Sequence, residues 1–149
     1  MTGPAAQVHA SAVAINGKGC LITGASGSGK STLCFELMAL GADLIADDRV
    51  DLAVSDSAVM LSCPPGLQGL IEARGVGLIE TSHECAPTPC ALIIDLDAED
   101  ERLPSLQMRD LLGIPHPVIN GAKLSGLASI VCVLLRTGRL LDPDQAIKP

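Results

Sequence analysis

A glycine-rich segment at residues 24–31 constrains the fold of this chain more than any other feature, and we call it the glycine loop. Its sequence, GASGSGKS, matches G-x-x-x-x-G-K-[ST], a pattern that cradles phosphate groups when it joins a strand to a helix. The apolar residues 20–23 before it predict a buried strand, and residues 31–40 after it have apolar side chains at helical spacing. Gly41 then stands where a helix typically ends. The sequence therefore predicts the strand, loop and helix that the pattern requires.

The residue types of the glycine loop predict how it would hold phosphate. Glycines let the backbone turn successive N–H groups towards phosphate oxygens, and the following helix adds the positive end of its dipole. Lys30 supplies a mobile positive charge for the β- and γ-phosphates, and the Ser31 hydroxyl can ligate Mg²⁺. The alternative is a glycine-rich turn followed by a chance Lys-Ser pair. The predicted nucleotide contacts are Gly24, Ala25, Ser26, Gly27, Ser28, Gly29, Lys30, Ser31 and Thr32.

Composition narrows the class of protein. The chain has 149 residues, which suits one domain spanning residues 1–149, and 48% of them are hydrophobic. Its net charge of −7 repels a nucleic-acid backbone, and with one Phe and no Trp or Tyr it lacks aromatic platforms for stacking bases. We therefore expect no nucleic-acid partner. The six cysteines include no C-x-x-C pair, so we interpret them as small apolar residues in a reducing compartment.

Neither export nor a membrane span is predicted. The N-terminus is neither basic nor followed by a long apolar run, and the apolar segment at 127–135 is too short to cross a bilayer. We therefore expect a cytoplasmic protein without a membrane partner. His83, Glu84 and Cys85 lie together but lack the spacing of a metal site, so we predict no metal cluster there.

The rest of the pattern predicts an α/β fold with a mixed β-sheet and flanking helices. A strand over 8–15 and a turn over 16–19 would form a hairpin with the strand before the glycine loop. Because such hairpins occur beside strand–helix units, we expect a mixed sheet rather than a purely parallel one. The further elements are strands at 44–46 and 92–94, a second hairpin in which strands at 50–54 and 58–62 flank a turn at 55–57, a charged linker at 97–104 and an apolar helix at 124–135.

Two acidic strand ends are candidates for metal binding or base catalysis, because phosphoryl transfer needs a carboxylate beside the phosphate site. Asp47 and Asp48 follow the strand predicted at 44–46, and Asp95 follows the one at 92–94. Spacing alone does not separate these two candidates. Adjacent carboxylates point in different directions, so one of Asp47 and Asp48 could face a metal or substrate while the other caps a turn. A solvated turn is the alternative.

Three further residues could carry chemistry. Glu72 and Arg74 are two residues apart on a segment predicted to be extended, so their side chains point to the same side. The glycines at 75 and 77 would let the backbone approach a ligand, although a surface salt pair before a turn is the simpler interpretation. His9 stands among Val and Ala residues, where a structural histidine is more common than a catalytic one.

Together these residues resemble the HPr kinase/phosphorylase family, in particular its C-terminal catalytic domain in the short form found in some proteobacteria. The resemblance covers residues 8–80: His9, the glycine loop, LIADDRV at 44–50, and EARGVGLI at 72–79, which is similar to the family signature E-[IV]-R-G-[LV]-G-[IL]. It implies a P-loop kinase fold of the HPr kinase and PEP carboxykinase-like type. It also implies ATP and Mg²⁺ as cofactors, phosphorylation of a serine of the phosphocarrier protein HPr with reversal by phosphorolysis, and a homo-oligomer, typically a hexamer.

The same resemblance implies a role for each matching residue. Lys30 would hold the transferred phosphate, Asp48 would accept the proton of the serine hydroxyl, and His9 would position phosphate near the loop. Arg74 belongs to the signature loop that acts in both directions, whereas Asp95 becomes a structural strand end. The implied catalytic residues are Asp48, Lys30, His9 and Arg74, and the implied Mg²⁺ contacts are Ser31 and Glu72.

Two features depart from the family pattern. A site with a catalytic Arg is expected near residues 120–123, where Lys123 is the only cation, and Lys is a poorer bidentate clamp for phosphate. The C-terminal segment linked to dephosphorylation is shortened or missing, so kinase activity is favoured over phosphorylase activity. A small-molecule kinase and a non-enzymatic nucleotide sensor are the alternatives. The few Arg residues after residue 80 count against the first, and the retained Asp48 and Glu72 count against the second.

Overall fold

The computed structural model describes residues 2–97, 107–122 and 124–141. Beyond Asp97, the linker predicted at 97–104 lies outside the described residues. The elements in the described ranges are β1 (Thr2–Val8), β2 (Ser11–Ile15), β3 (Lys18–Thr23), α1 (Lys30–Ala39), β4 (Asp43–Ala46), β5 (Val50–Ser55), β6 (Ala58–Ser62), β7 (Leu70–Ala73), β8 (Gly77–Glu80), β9 (Thr88–Asp95), β10 (Met108–Leu111), β11 (Ile114–Asn120) and α2 (Leu127–Arg136).

Nine of the described strands form one mixed sheet. Its main path runs β1-β5-β6-β9-β3-β2-β4, and β11 adds to β9 with β10 beyond it. The central strand β3 runs parallel to β9, and β9 runs parallel to β11, whereas the pairings of β2 with β3 and β4 are antiparallel. β7 and β8 form a separate two-stranded hairpin. The predicted α/β fold with a mixed sheet and flanking helices is confirmed.

The core lies on both faces of the sheet, and β3 contributes to both. Cys20 and Ile22 pack into the cluster that includes Leu33 and Leu37 of α1, whereas Leu21 packs into the cluster on the opposite face. A strand with two buried faces reads as a continuous apolar run, which is why residues before the glycine loop show no polar alternation. This burial anchors the strand from which the loop leaves.

Two hairpins predicted from turn residues are confirmed. Asn16 and Gly17 have φ angles of 53° and 74° between β2 and β3, and Asp56 and Ser57 have 51° and 66° between β5 and β6. Two consecutive residues with positive φ match the twist of the flanking strands, so each turn closes its hairpin in two residues.

The single strand predicted over 8–15 is wrong, because the chain changes partners there. β1 ends at Val8 and pairs with β5, while β2 begins at Ser11 and pairs with β3 and β4. His9 therefore lies in a bend between two strands rather than within the first strand. That bend brings the histidine to the edge of the sheet where the glycine loop lies.

The late part of the chain also differs from its prediction. The helix predicted from residue 124 begins at Leu127, because Gly126 adopts a left-handed φ of 68° and starts the helix there. Strands β10 and β11 were not predicted, since Pro115 and Pro117 lack the N–H that an interior strand position uses. These prolines lie in the part of β11 that pairs with the edge strand β10, whereas residues 118–120 pair with β9.

Three of the six cysteines lie in the core, as predicted for small apolar residues, whereas Cys85 is exposed. All six are free thiols, and Cys20, Cys34 and Cys132 are buried. Burial raises the pKa of Cys20 well above its usual value, because a thiolate is poorly solvated in the core. Within the described part of the chain, no helix is long and apolar enough to cross a membrane.

Candidate active site

The glycine loop leaves the carboxyl end of β3 and enters α1 through backbone angles that glycine favours. Gly24 has a φ of 153°, and a Cβ added there would collide with the Ser28 hydroxyl. Gly29 has a φ of 103° and directly precedes the first helical residue. The Ser28 N–H donates to the Ala25 carbonyl at 3.0 Å, which closes the loop upon itself. The loop is thus turned tightly against the amino end of the helix, where backbone N–H groups favour an anion.

Lys30 lies inside the turn that the loop makes. Its side chain is buried, with 7% of the residue exposed, and Nζ donates to the carbonyls of Gly24 at 2.8 Å and Ala25 at 2.9 Å. A buried ammonium needs such partners, because taking a charged group out of water without hydrogen bonds costs far more free energy than burying a neutral polar group. The result is a fixed positive charge beside the helix amino end.

One polar atom of the loop has no partner. Ser28 Oγ is buried and makes no hydrogen bond with any of the described residues. A buried hydroxyl left unpaired costs free energy, so such an atom suits a loop that gains a polar ligand. Together with the buried Lys30, this orphaned hydroxyl fits the phosphate groups of a nucleotide.

Asp47 connects the loop to the strand ends beside it. Its Oδ1 accepts hydrogen bonds from Ser31 Oγ at 2.9 Å and from Ser11 Oγ at 2.8 Å. Ser11 begins β2, which lies between β3 and β4, and only 1% of the residue is exposed. The hydroxyl of Ser31 and the carboxylate of Asp47 are oxygen donors of the kind that Mg²⁺ prefers. The sequence predicted that one of Asp47 and Asp48 could face a metal, without saying which, and it gave no role to Ser11.

Asp48 points away from Asp47 because the backbone turns sharply between them. It has a left-handed φ of 69°, and the Arg49 N–H donates to the Asp47 carbonyl at 2.8 Å. Asp48 Oδ1 lies 3.2 Å from His9 Nδ1, with both side chains more than half exposed, at 63% and 52%. Non-glycine residues with positive φ cost free energy and recur at functional sites. The two adjacent carboxylates thus face different partners.

Glu72 and Arg74 approach the loop from the β7–β8 hairpin. Glu72 is on β7, and Arg74 follows in the turn, where Gly75 has a φ of 84°. Neither residue has an ion-pair partner among the described residues, so the interpretation as a surface salt pair is wrong. Both side chains are exposed and line the same cavity, which agrees with the predicted common side.

A cavity of about 690 Å³ brings the predicted residues together. It is lined by all four implied catalytic residues and both implied metal contacts, and we call it the main cavity: His9, Lys30, Ser31, Asp48, Glu72 and Arg74. Of the other predicted nucleotide contacts, Ser26, Gly27, Gly29 and Thr32 line it, whereas Gly24, Ala25 and Ser28 do not. Asp47, one of the two adjacent acidic candidates, also lines it, and so do residues that sequence reasoning missed, among them Ser11, Phe35 and Glu36.

Asp95, the competing acidic strand end, lies outside the main cavity. Its Oδ2 accepts a hydrogen bond from Arg109 Nη2 at 2.6 Å, and its Oδ1 accepts one from the Asp97 N–H at 2.8 Å. Asp97 in turn accepts from the Ala25 N–H at 2.8 Å, a contact to the glycine loop that sequence reasoning missed. These hydrogen bonds connect the end of β9 to the glycine loop, so Asp95 stabilises the structure beside the main cavity. Lys123, the cation expected in place of the late Arg, lies outside the described residues.

The strand, glycine loop and helix, with carboxylates from the neighbouring strand end, define an α/β domain of the P-loop kinase class. The family model for the HPr Serine kinase C-terminal domain matches residues 2–85, and the chain belongs to that family. The resemblance predicted from the motifs is thereby confirmed.

Individual proteins and a solved structure that are similar to this chain carry names of the same family. The chain is 40% identical, over an alignment of 124 residues that covers 75% of it, to proteins named HPr kinase/phosphorylase from Burkholderia lata and Burkholderia cenocepacia. The chain spans 38% of the length of these relatives. It is also similar to a solved structure, that of the Hpr(Ser) kinase/phosphatase from Coxiella burnetii, with a TM-score of 0.72, 27% identity and 90% of each chain covered.

Proposed function

We propose that this chain is the catalytic domain of a protein-serine kinase that transfers the γ-phosphoryl group of ATP to a serine of the phosphocarrier protein HPr. The observation that carries the proposal is the pairing of Asp48 with His9 in the cavity that Lys30 and Ser31 also line. The names of the relatives, HPr kinase/phosphorylase, support the choice of acceptor. A cytoplasmic location and a homo-oligomeric state belong to the same proposal and rest on the family resemblance.

On the donor side, the glycine loop would hold the phosphates of ATP. The helix amino end and the loop N–H groups stabilise negative charge, and the Lys30 ammonium lies beside them, held by two loop carbonyls. When phosphate oxygens enter, they offer the ammonium stronger, charged acceptors than these carbonyls. Lys30 would therefore turn towards the transferred group while its position at the start of α1 stays fixed.

Ser31, Asp47 and Glu72 would hold a magnesium ion bound with the nucleotide. The hydroxyl and carboxylate already share a hydrogen bond, and Glu72 lines the same cavity with no ion-pair partner among the described residues. When bound, the ion neutralises charge on the phosphate oxygens as the phosphoryl group is transferred. Asp47 also keeps Ser31 oriented, because its carboxylate is itself held by Ser11.

On the acceptor side, Asp48 would take the proton of the attacking serine hydroxyl. A carboxylate within reach of the hydroxyl acts as the general base, and His9 can orient it through the 3.2 Å contact. Arg74, which lines the same cavity from the β7–β8 hairpin, would stabilise the charge on the transferred group. The exposure of Asp48 and His9 supports a protein acceptor, since a serine on another protein must reach the base from solvent.

The test is transfer of labelled phosphate from ATP and Mg²⁺ to purified HPr. Asp48→Asn removes the base without changing size, and we expect it to lower the rate by about a hundredfold or more. Asp56→Asn is the matched control, because Asp56 is exposed in the β5–β6 turn and lines no described cavity. No transfer by the wild type, or full transfer by Asp48→Asn, would contradict the proposal. The same assay with phospho-HPr and inorganic phosphate tests the reverse reaction.

A further inference from the structure

Ser11 begins β2, a strand whose backbone pairs with β3 on one side and with β4 on the other. In the antiparallel ladder of β2 and β4, Ala12 pairs with Ala46. The next residues along the two chains, Ser11 and Asp47, therefore lie side by side just beyond the end of β4. A strand paired on both sides holds a side chain more precisely than a loop does. The fold thus fixes the position of Ser11 at the end of the sheet where the main cavity lies.

The Ser11 hydroxyl makes a hydrogen bond with each of the two adjacent aspartates. It donates to Asp47 Oδ1 at 2.8 Å, and it accepts the backbone N–H of Asp48 at 3.3 Å. A serine hydroxyl has one proton to donate and lone pairs to accept with, so both capacities are used here. With only 1% of the residue exposed, these bonds have little competition from solvent. One buried oxygen atom therefore contacts both residues of the acidic pair.

On the Asp47 side, the hydroxyl helps to hold a metal ligand of the proposed site. Asp47 Oδ1 accepts a second hydrogen bond, from Ser31 Oγ at 2.9 Å, so two side-chain hydroxyls hold one carboxylate oxygen. Because Ser31 donates its proton to Asp47, the lone pairs of its oxygen stay available for a cation. Groups that orient metal ligands typically contribute about ten- to a hundredfold to metal affinity or activity. Loss of the Ser11 hydroxyl would therefore loosen both of these oxygen ligands.

On the Asp48 side, the hydroxyl holds the backbone rather than the carboxylate. The Asp48 N–H that donates to Ser11 belongs to the residue with the left-handed φ of 69°. Such a conformation costs free energy in a non-glycine residue and persists only where neighbouring groups hold it. The angle also sets the direction in which the Asp48 carboxylate leaves the chain, towards His9 Nδ1 at 3.2 Å. A hydrogen bond to this N–H therefore stabilises the orientation of the proposed base.

We propose that Ser11 is a positioning residue that joins the metal-binding half of the site to the proton-accepting half. Its one hydroxyl orients the Asp47 carboxylate, and it fixes the backbone from which the Asp48 carboxylate faces the acceptor serine. This inference rests on the proposed function, which supplies the reaction. Ser11 acts through the two aspartates and needs no contact with the nucleotide or the acceptor. A merely structural serine would change the stability of the fold and leave both halves of the chemistry unchanged.

Two variants and a control test this joint role. Ser11→Ala removes the hydroxyl, and Ser11→Thr keeps it. Ser62→Ala is the matched control, the same change in β6 at a residue that lines neither the main cavity nor the second described cavity, of about 230 Å³. Transfer of labelled phosphate to HPr gives kcat at saturating Mg²⁺ and the Mg²⁺ concentration for half-maximal activity. Amide hydrogen exchange of Asp48, followed by NMR without metal or nucleotide, reports on the bond to Ser11 independently of catalysis. Urea denaturation verifies that each variant folds.

We expect Ser11→Ala to lower kcat by about tenfold, to raise the required Mg²⁺ concentration several-fold, and to speed exchange of the Asp48 N–H by about tenfold. Ser11→Thr should recover most of each loss, and Ser62→Ala should match the wild type.

A change in the Mg²⁺ requirement alone, or in kcat and Asp48 exchange alone, would show that the hydroxyl serves one aspartate, and it would overturn the joint role. Lower stability in urea with unchanged kinetics and exchange would make Ser11 a structural residue and would overturn the inference as well. No transfer by the wild type would contradict the proposed function instead, and Asp48 exchange would still show whether Ser11 holds that backbone.

Discussion

Ser31 and Asp47 are joined by a hydrogen bond of 2.9 Å that links the first turn of α1 to the end of β4. β2 lies between β3 and β4 in the sheet, and Ser11 at its start donates to the same carboxylate oxygen. A hydroxyl and a carboxylate held together in this way supply two of the oxygen ligands that the proposed magnesium site needs. Residues that are 16 apart in the sequence therefore act as one unit.

The first prediction concerns this unit. Asp47→Asn keeps the size of the side chain but removes the charge, so the concentration of Mg²⁺ that gives half-maximal kinase activity should rise about tenfold or more. A titration of activity with Mg²⁺ at saturating ATP measures it. Asp43→Asn, at the exposed start of the same strand, should leave the titration unchanged. An unchanged Mg²⁺ requirement in Asp47→Asn would exclude this residue from the metal site.

His9 is expected to act as a positioning residue through Asp48. His9→Ala removes the group 3.2 Å from the Asp48 carboxylate, and we expect kcat for HPr phosphorylation to fall by about ten- to a hundredfold with little change in the KM for ATP. His9→Asn retains a short polar side chain with a donor and should recover part of that loss. His83→Ala is the control, because His83 lines neither cavity. A rise in KM with unchanged kcat would show that His9 binds rather than positions.

The close approach of Gly24 to Ser28 predicts a difference between two glycines. Gly24→Ala would drive a Cβ into the Ser28 hydroxyl, whereas Gly17→Ala has open space at a φ that is also positive, 74°. Both substitutions carry backbone strain, but only the first adds a collision. Gly24→Ala should therefore lower the free energy of unfolding by about 1–3 kcal/mol more than Gly17→Ala. Urea denaturation measures both, and equal losses would show that the collision is relieved at no cost.

The thiol groups should differ in reactivity. Desolvation by burial raises the pKa of Cys20 and Cys34, and it raises that of Cys90 to about 12, because the charged thiolate is poorly solvated there. At about pH 8 these thiols stay protonated, so an alkylating reagent should label exposed Cys85 in the native protein, and Cys20, Cys34 and Cys90 only after unfolding. Mass spectrometry locates the label. Labelling of Cys34 before unfolding would mean that α1 opens locally.

Much of the fold followed from local patterns. The strand, loop and helix around Lys30, the hairpin turns at 16–17 and 56–57, and the mixed sheet all depend on residues close together in the chain. The missed features depend on distant partners. The break at His9 arises because β1 and β2 pair with different strands, and β11 forms, despite its two prolines, because β9 and β10 lie on either side of it.

The candidate site also combines features that local sequence patterns predict with features that depend on distant parts of the chain. Short sequence patterns predicted the glycine loop with its lysine and serine, and the charged residues at 9, 48, 72 and 74. The meeting of these patterns at one cavity comes from the tertiary structure, and so does the orientation of Asp47 towards Ser31 and of Asp48 towards His9. The direction of each carboxylate depends on one left-handed backbone angle and on strand order, which no local pattern encodes. The same strand order sets Asp95 apart from the cavity, with Arg109 as its partner.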